Sequence, residues 1–237
     1  MHEWGAAGSR EAALPVGVAL PDWEPRPRPG RDVLSGRYCR LEPLDAERHS
    51  ATLFEAYAHD TTGAGWTYLP YGPFSGREEF RAWVQAMASP DDPLFFAIVD
   101  PNDHALGVAS YLRINPGMGT IEVGHIRYSP QLQRTREATE AMYLLARRAL
   151  DELGYRRYEW KCDDLNAASR RAAKRLGFTF EGTFRQDRIY KGRNRDTAWY
   201  SITDAEWPAI RAALEAWLDQ SNFDERGGQH KRLQIPK

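Results

Sequence analysis

Hydrophobic and polar positions change their period several times along this chain, and the changes mark its elements. Residues 37–41 alternate and predict a short strand. Asp45 stands as an N-cap before a helical pattern reaching about His59, with Leu53, Phe54 and Tyr57 on one side. Residues 66–74 carry no period and read as an aromatic loop. Ser75 opens a second helix to about Ser89, with Phe80, Trp83 and Met87 at helical spacing. Residues 94–99, 106–114 and 120–128 predict three strands, and the Pro-, Gly- and Asn-bearing turns between them predict an antiparallel meander. A long helix follows over about 136–153, with Ala141, Leu144, Leu145 and Ala149 facing inward and Gly154 at its C-terminal cap. Residues 155–162 predict a strand and 166–176 a helix ended by Gly177. Residues 178–189 and 197–202 predict two strands joined through 191–195. Asp204 opens a last helix to about Asp219, bearing Trp207, Ile210, Leu214 and Trp217. This order predicts an α/β class, an α+β mixed sheet with helices on both faces.

The ends differ from this pattern. Pro15, Pro21, Pro25, Pro27 and Pro29, interleaved with Arg26, Arg28 and Arg31, remove too many backbone donors for regular structure. Residues 1–30 are therefore expected to form an extended arm dispensable for the sheet. Residues 31–222 form one domain with a C-terminal helix, and 223–237 read as a loose polar tail. Composition narrows the classes. The chain has 237 residues, a net charge of −1 and a mean hydropathy of −0.65. No window approaches the ~18 apolar residues of a membrane span, and no secretory pattern opens the chain. Cys39 and Cys162 lie far apart and the six histidines never pair at i,i+2 or i,i+4. No metal site is expected, and the sparse cysteines suit a reducing cytoplasm. Near-neutral charge argues against nucleic-acid binding.

Three segments carry candidate chemistry. Gln133-Arg134-Thr135-Arg136-Glu137-Ala138 opens the long helix. It resembles the acetyl-CoA loop of GNAT acetyltransferases, Q/R-x-x-G-x-G/A, with Arg136 in place of the central glycine. Thr139-Glu140-Ala141 continues it as in the RimJ/RimL-like branch. Asn166, Ser169, Leu176-Gly177-Phe178 and Glu181-Gly182 are similar to that branch's N-x-x-S…L-G-F…E-G segment. Residues 191–201 are similar to its closing G-R-x-x-D-x-x-x-Y strand. The matches fall in order over about 36–203.

The resemblance implies a GNAT-like acyl-CoA N-acyltransferase fold with a splayed mixed sheet. It implies acetyl-CoA as cofactor and transfer to a primary amine, either a protein N-terminal α-amine or a small amine. Gln133, Arg134, Thr135, Arg136, Glu137, Ala138 and Thr139 are expected at the pyrophosphate, where a helix N-terminus offers free N–H groups. Arginine lacks glycine's freedom at positive φ, so Arg136 implies a reshaped loop or an altered cofactor affinity. Backbone groups of Ile126 and Tyr128 are implied beside pantetheine, and Asn166 as a further contact or simply the N-cap.

For the chemistry, the resemblance implies Glu122 as general base, against the plainer reading of an outward charge on an alternating strand. His125 lines the pocket, serves as the base, or is a satisfied half-buried histidine. The resemblance implies Ser169 as the hydroxyl that assists the departing thiolate, since Ala173 stands where many members carry tyrosine; the plainer reading is helix-cap bonding at the start of 166–176. Tyr68, Tyr71 and Phe74 are expected to wall the acceptor pocket, or to pack for purely structural reasons. Arg185, Arg188, Arg193 and Arg195, interrupted by Asp187 and Asp196, read as a solvated hairpin. A second copy of the chain is a candidate partner. The alternative reading is a non-catalytic coenzyme-A-binding or regulatory module of the same fold.

Overall fold

Apolar strands buried on both faces need cover from two sides, and the chain's helices divide accordingly. The computed structural model describes residues 14–236. Its elements are β1 (Leu34–Ser35), β2 (Arg40–Pro43), α1 (Ala46–Ala58), α2 (Arg77–Ala88), β3 (Leu94–Val99), β4 (Ala105–Asn115), β5 (Thr120–Tyr128), α3 (Arg136–Arg147), β6 (Arg157–Asp163), α4 (Ala167–Arg175), β7 (Thr179–Tyr190), β8 (Arg193–Thr203) and α5 (Trp207–Leu218). The strands form one sheet in the order β1-β2-β3-β4-β5-β6-β8-β7. Every pairing is antiparallel except β5 with β6, the pair joined by the α3 crossover.

Alternation along β3 decides which residues meet which helices. Phe96 and Ile98 pack with Leu144 and Leu145 of α3 and Ile210 and Leu214 of α5 on one face. Phe95 and Ala97 pack with Leu53 of α1 and Phe80 and Val84 of α2 on the other. Leu53, Phe80 and Val84 are at most 1% exposed, and burying such side chains contributes roughly 1.5–3 kcal/mol each. The helices α1 and α2 cover only the β2–β4 half of their face. The β5–β8 half of that face is left to polar side chains and loops.

Glu140 of α3 does structural work that the residue pattern did not announce. It is 4% exposed and accepts the backbone N–H groups of Arg37, Tyr38 and Cys39 at 2.8, 2.6 and 2.8 Å. These bonds bend residues 36–39 into a turn, so β2 starts at Arg40 and not at Arg37. Gly36 is required there, because a Cβ would overlap the Glu140 carboxylate.

Both ends are more engaged than the sequence suggests. Of the arm, residues 1–13 lie outside the described residues. Beyond them, Trp23 Nε1 donates to Gly117 O at 2.8 Å, and its ring lies where a Cβ on Gly119 would stand. Arg31 donates to Ala88 O, Ser89 O and Pro90 O at 2.8, 3.0 and 2.8 Å, capping the C-terminus of α2. The expected loose tail also returns to the body. Asn222 bonds Lys231 through both its amide groups, and Leu233 and Ile235 pack on the main core. Among the described residues, no helix is long and apolar enough to cross a membrane.

Candidate active site

The parallel pairing of β5 and β6 ends early. It runs from Thr120↔Arg157 to Val123↔Trp160, after which Gly124–128 has no partner on the β6 side. The next β6 residues, Lys161, Cys162 and Asp163, pair only with β8. His125 drives the departure: its φ is +51°, and the β4–β5 register shifts between Val108 and Ser110. A bulge of this kind re-aims a strand and its side chains. The result is a cleft through the sheet with an unpaired strand edge along one wall.

Beyond that edge the chain enters α3. Thr135 caps the helix, its Oγ1 accepting Ala138 N–H at 3.1 Å. The amides of Arg136 and Glu137 occupy the first two positions of α3, which have no intrahelical acceptor. The left-handed residue of the loop is Arg134, at φ +64°, while Arg136 is already helical. Arginine at 136 therefore leaves the loop undistorted. Its side chain is also turned aside: the guanidinium lies 4.3 Å from the Tyr38 ring centroid and 5.5 Å from that of Phe223, with Nε 3.1 Å from Glu137. Thr139 is buried and accepts from Arg175 Nη1 at 3.1 Å. Gln133 and Arg134 are exposed at the helix mouth.

Glu122 stands just before the strands part, and it is not a free carboxylate. It is 3% exposed, 3.0 Å from Lys161 Nζ, and ion-paired to Arg113. Lys161 also reaches Glu159 at 2.7 Å and lies 3.7 Å over the Trp199 ring. Arg157 continues the chain of charges from Glu159 to Glu181. The even spacing of Arg157, Glu159, Lys161 and Asp163 on one strand face was the sequence signal for this network. The two cations give Glu122 an ion-pairing role beside the direct-base role expected of it.

On the other wall, Ser169 Oγ accepts from Trp160 Nε1 at 2.9 Å, and its own O–H is left as a donor beside the Cys162 thiol. Asn166 caps α4, its Oδ1 accepting Ser169 N–H at 3.0 Å. Both cysteines are buried and their thiols are pushed up, chiefly by desolvation.

The aromatic loop closes the acceptor side. Tyr71 Oη and His125 Nδ1 share a 2.9 Å hydrogen bond, and their rings stack. Burial first, then the charges of Arg113, Arg188 and Arg195, lower the His125 pKa to about 4. Tyr68 Oη donates to Leu165 O at 3.2 Å, and Lys191 Nζ at the β7–β8 tip donates to Trp66 O at 2.8 Å. The cleft is thereby bridged from two directions. Phe74 packs on Trp66, Phe80 and Trp83 at 5.3–5.4 Å and so supports the loop.

The loop's anchor is Arg127, which the sequence reading missed. Its side chain is 2% exposed, 2.9 Å from Asp60, and lies between the Tyr57 and Trp66 rings at 4.7 and 4.8 Å. A lone arginine in an apolar strand was the available signal. Among the described residues no group of His, Cys, Asp and Glu could hold a metal ion.

A mixed sheet parted beside a helix N-terminus, with a hydroxyl on one wall and an aromatic loop opposite, defines an acyl-CoA-dependent N-acyltransferase. The profile described as "Acetyltransferase (GNAT) domain" matches residues 39–179, and the chain belongs to this family. It is an acetyl-CoA-dependent N-acetyltransferase. A GCN5-related N-acetyltransferase from Brucella melitensis is 47% identical, with a TM-score of 0.88 over 90% of this chain and 97% of that one. A probable GNAT-family acetyltransferase from Chromobacterium violaceum ATCC 12472 is 43% identical, with a TM-score of 0.76 over 83% of this chain and 98% of that one. The uncharacterized N-acetyltransferase YnaD of Bacillus subtilis (strain 168) is 28% identical over 141 residues, 59% of this chain and 81% of its own.

The residues present suit acetyl-CoA. The unpaired edge of β5 offers amide partners to pantetheine, and the first α3 amides offer donors to pyrophosphate.

Proposed function

We propose that this enzyme moves the acetyl group directly to a small primary amine held between the aromatic loop and the β7–β8 hairpin. The observation that carries the reading is the pair of bridges across the cleft, Tyr68 to Leu165 and Lys191 to Trp66. They leave a confined entrance, better matched to a small amine than to the N-terminus of a folded protein. The motif segments at 166–182 and 191–201 support a RimJ/RimL-like reading. Direct attack is supported by the two buried, raised thiols, neither of which is a ready nucleophile.

In this reading Ile126 and Tyr128 present backbone groups to pantetheine. Gln133, Arg134 and the amides of Arg136 and Glu137 face pyrophosphate. Ser169 donates its hydroxyl proton as a hydrogen bond to the departing sulfur, and Tyr68, Tyr71 and His125 bound the amine. The cations around His125 disfavour an ammonium, so the amine binds in its neutral form without a strong base.

The test is coenzyme A release over a panel of small amines and short N-terminal peptides. Small amines are expected to be the better acceptors, with kcat/KM rising tenfold per pH unit up to the amine's own pKa. A clear preference for peptides would reverse the acceptor class.

A further inference from the structure

Alternation along β8 places Arg195, Thr197 and Trp199 on the same face as Lys161 and Asp163, since Lys161 pairs with Trp199 and Asp163 with Thr197. Asp196 points to the other face, so the acids that break up the arginine run in the sequence do not neutralise Arg195. Asp196 is occupied by Gln186 N–H at 2.8 Å and Asn194 Nδ2 at 3.0 Å. Asp163, on the near side, is occupied by Tyr190 Oη at 2.7 Å and Leu165 N–H at 2.9 Å.

Arg195 is half-buried. Its Nε donates to Thr197 Oγ1 at 3.1 Å, and its guanidinium carbon lies 5.9 Å from the Tyr190 ring centroid. Among the described residues no carboxylate comes within 4.0 Å, and its two terminal nitrogens have no acceptor. The neighbouring guanidiniums are better served. Arg188, directly across on β7, has Asp187 at 3.5 Å, and Arg113 has Glu122. Arg195 shares its face with Lys161, which holds Glu122 where the strands part, and lies by Tyr190, which holds Asp163; this places it beside the cleft. A half-buried guanidinium with an open fork is matched by a planar carboxylate.

We infer that Arg195 is a specificity-determining residue that receives a carboxylate of the acceptor, so that the substrate is a small amine bearing an acidic group. This rests on the cleft being the acceptor site, as proposed above. The carboxylate belongs either to the α-carboxyl of a free amino acid or to an acidic side chain.

The experiment compares acetyl-CoA-dependent thiol release for free amino acids, their carboxamides, and aspartyl and glutamyl carboxamides, in the wild type, Arg195→Gln, Arg195→Lys and Arg188→Gln. For the carboxylate acceptors, Arg195→Gln is expected to lower kcat/KM at least thirtyfold. The same change should alter the neutral carboxamides less than threefold and leave the KM for acetyl-CoA in place. Arg195→Lys should recover part of the loss, and Arg188→Gln, which removes a neighbouring cation with no open fork, should affect acids and carboxamides alike. The aspartyl and glutamyl carboxamides then say which carboxyl is read. Equal effects of Arg195→Gln on acids and carboxamides, or none on acids, would overturn the inference.

Should no amine release thiol in the wild type, the acceptor reading itself fails, and binding decides the role of Arg195. N-acetylated amino acids and their carboxamides are then titrated calorimetrically into protein saturated with coenzyme A. Binding of the acids alone, lost in Arg195→Gln, supports the site. No discrimination between acid and carboxamide overturns it.

Discussion

Replacing Glu122 by glutamine separates a base from a structural charge. The carboxylate is 3% exposed and shared by Lys161, whose side chain is 5% exposed, and Arg113, whose side chain is 36% exposed. Removing one partner of a buried ion pair costs about 3–5 kcal/mol when the remaining charge is left alone. Lys161 is not left alone, because Glu159 stays at 2.7 Å and Trp199 stays beneath it. Arg113 can turn to water. The amide keeps the shape of the carboxylate and one acceptor oxygen. The expected loss in stability is therefore smaller, about 2 kcal/mol, read from urea denaturation at pH 7. A direct base contributes 10²–10⁴ in rate, whereas an ion-pair anchor gives less than about tenfold in folded protein. Glu122→Gln should accordingly lower kcat/KM less than tenfold under conditions where the variant is folded, with an unchanged pH profile. A loss of a hundredfold or more, shrinking as pH rises, would refute this assignment and restore Glu122 as the base.

Other outcomes follow from the same structure. His125 has its pKa lowered from 6.5 to about 4 by burial and nearby arginines, so the unfolded chain takes up its proton first as pH falls. Its contribution is intact above about pH 6.5 and is lost between there and about 4; the loss at pH 5 is about 2 kcal/mol relative to a His125→Gln variant in paired denaturation curves. Gly36→Ala forces a Cβ into the Glu140 carboxylate and should cost at least ~2 kcal/mol in thermal or urea unfolding. Trp23→Ala removes a bond to Gly117 and the ring packed on Gly119, an expected loss of ~1 kcal/mol; no change would show that the arm is dispensable. Arg134→Gly relieves a left-handed residue, so stability should rise by about 0.5–1 kcal/mol while coenzyme A binding weakens in calorimetry.

Much of the fold was legible because its signals are local. The periodic runs at β3, β4, β5 and α3, and the caps Asp45 and Asn166, are each set by a few neighbouring residues. The Gln133–Thr139 opening of α3 and the Ser169 position were legible through motif spacing. What escaped depends on residues distant in sequence. Glu140 acts through amides a hundred residues away, and Arg127 is set by Asp60, Tyr57 and Trp66. Arg195 looked like one of several hairpin arginines until β8 alternation turned Asp196 away from it. The arm and tail looked unstructured because proline and polar residues carry no period. Their order comes from individual bonds to the body.

In the proposed reaction acetyl-CoA lies along the unpaired edge of β5 with its pyrophosphate at the start of α3. Backbone amide hydrogen exchange, followed with and without saturating coenzyme A, tests it most directly. Protection should be gained at residues 124–128 and at Arg136 and Glu137, with little change in the first strands of the sheet. Coenzyme A binding that protects other segments and leaves these amides exchanging at their free rates would contradict it.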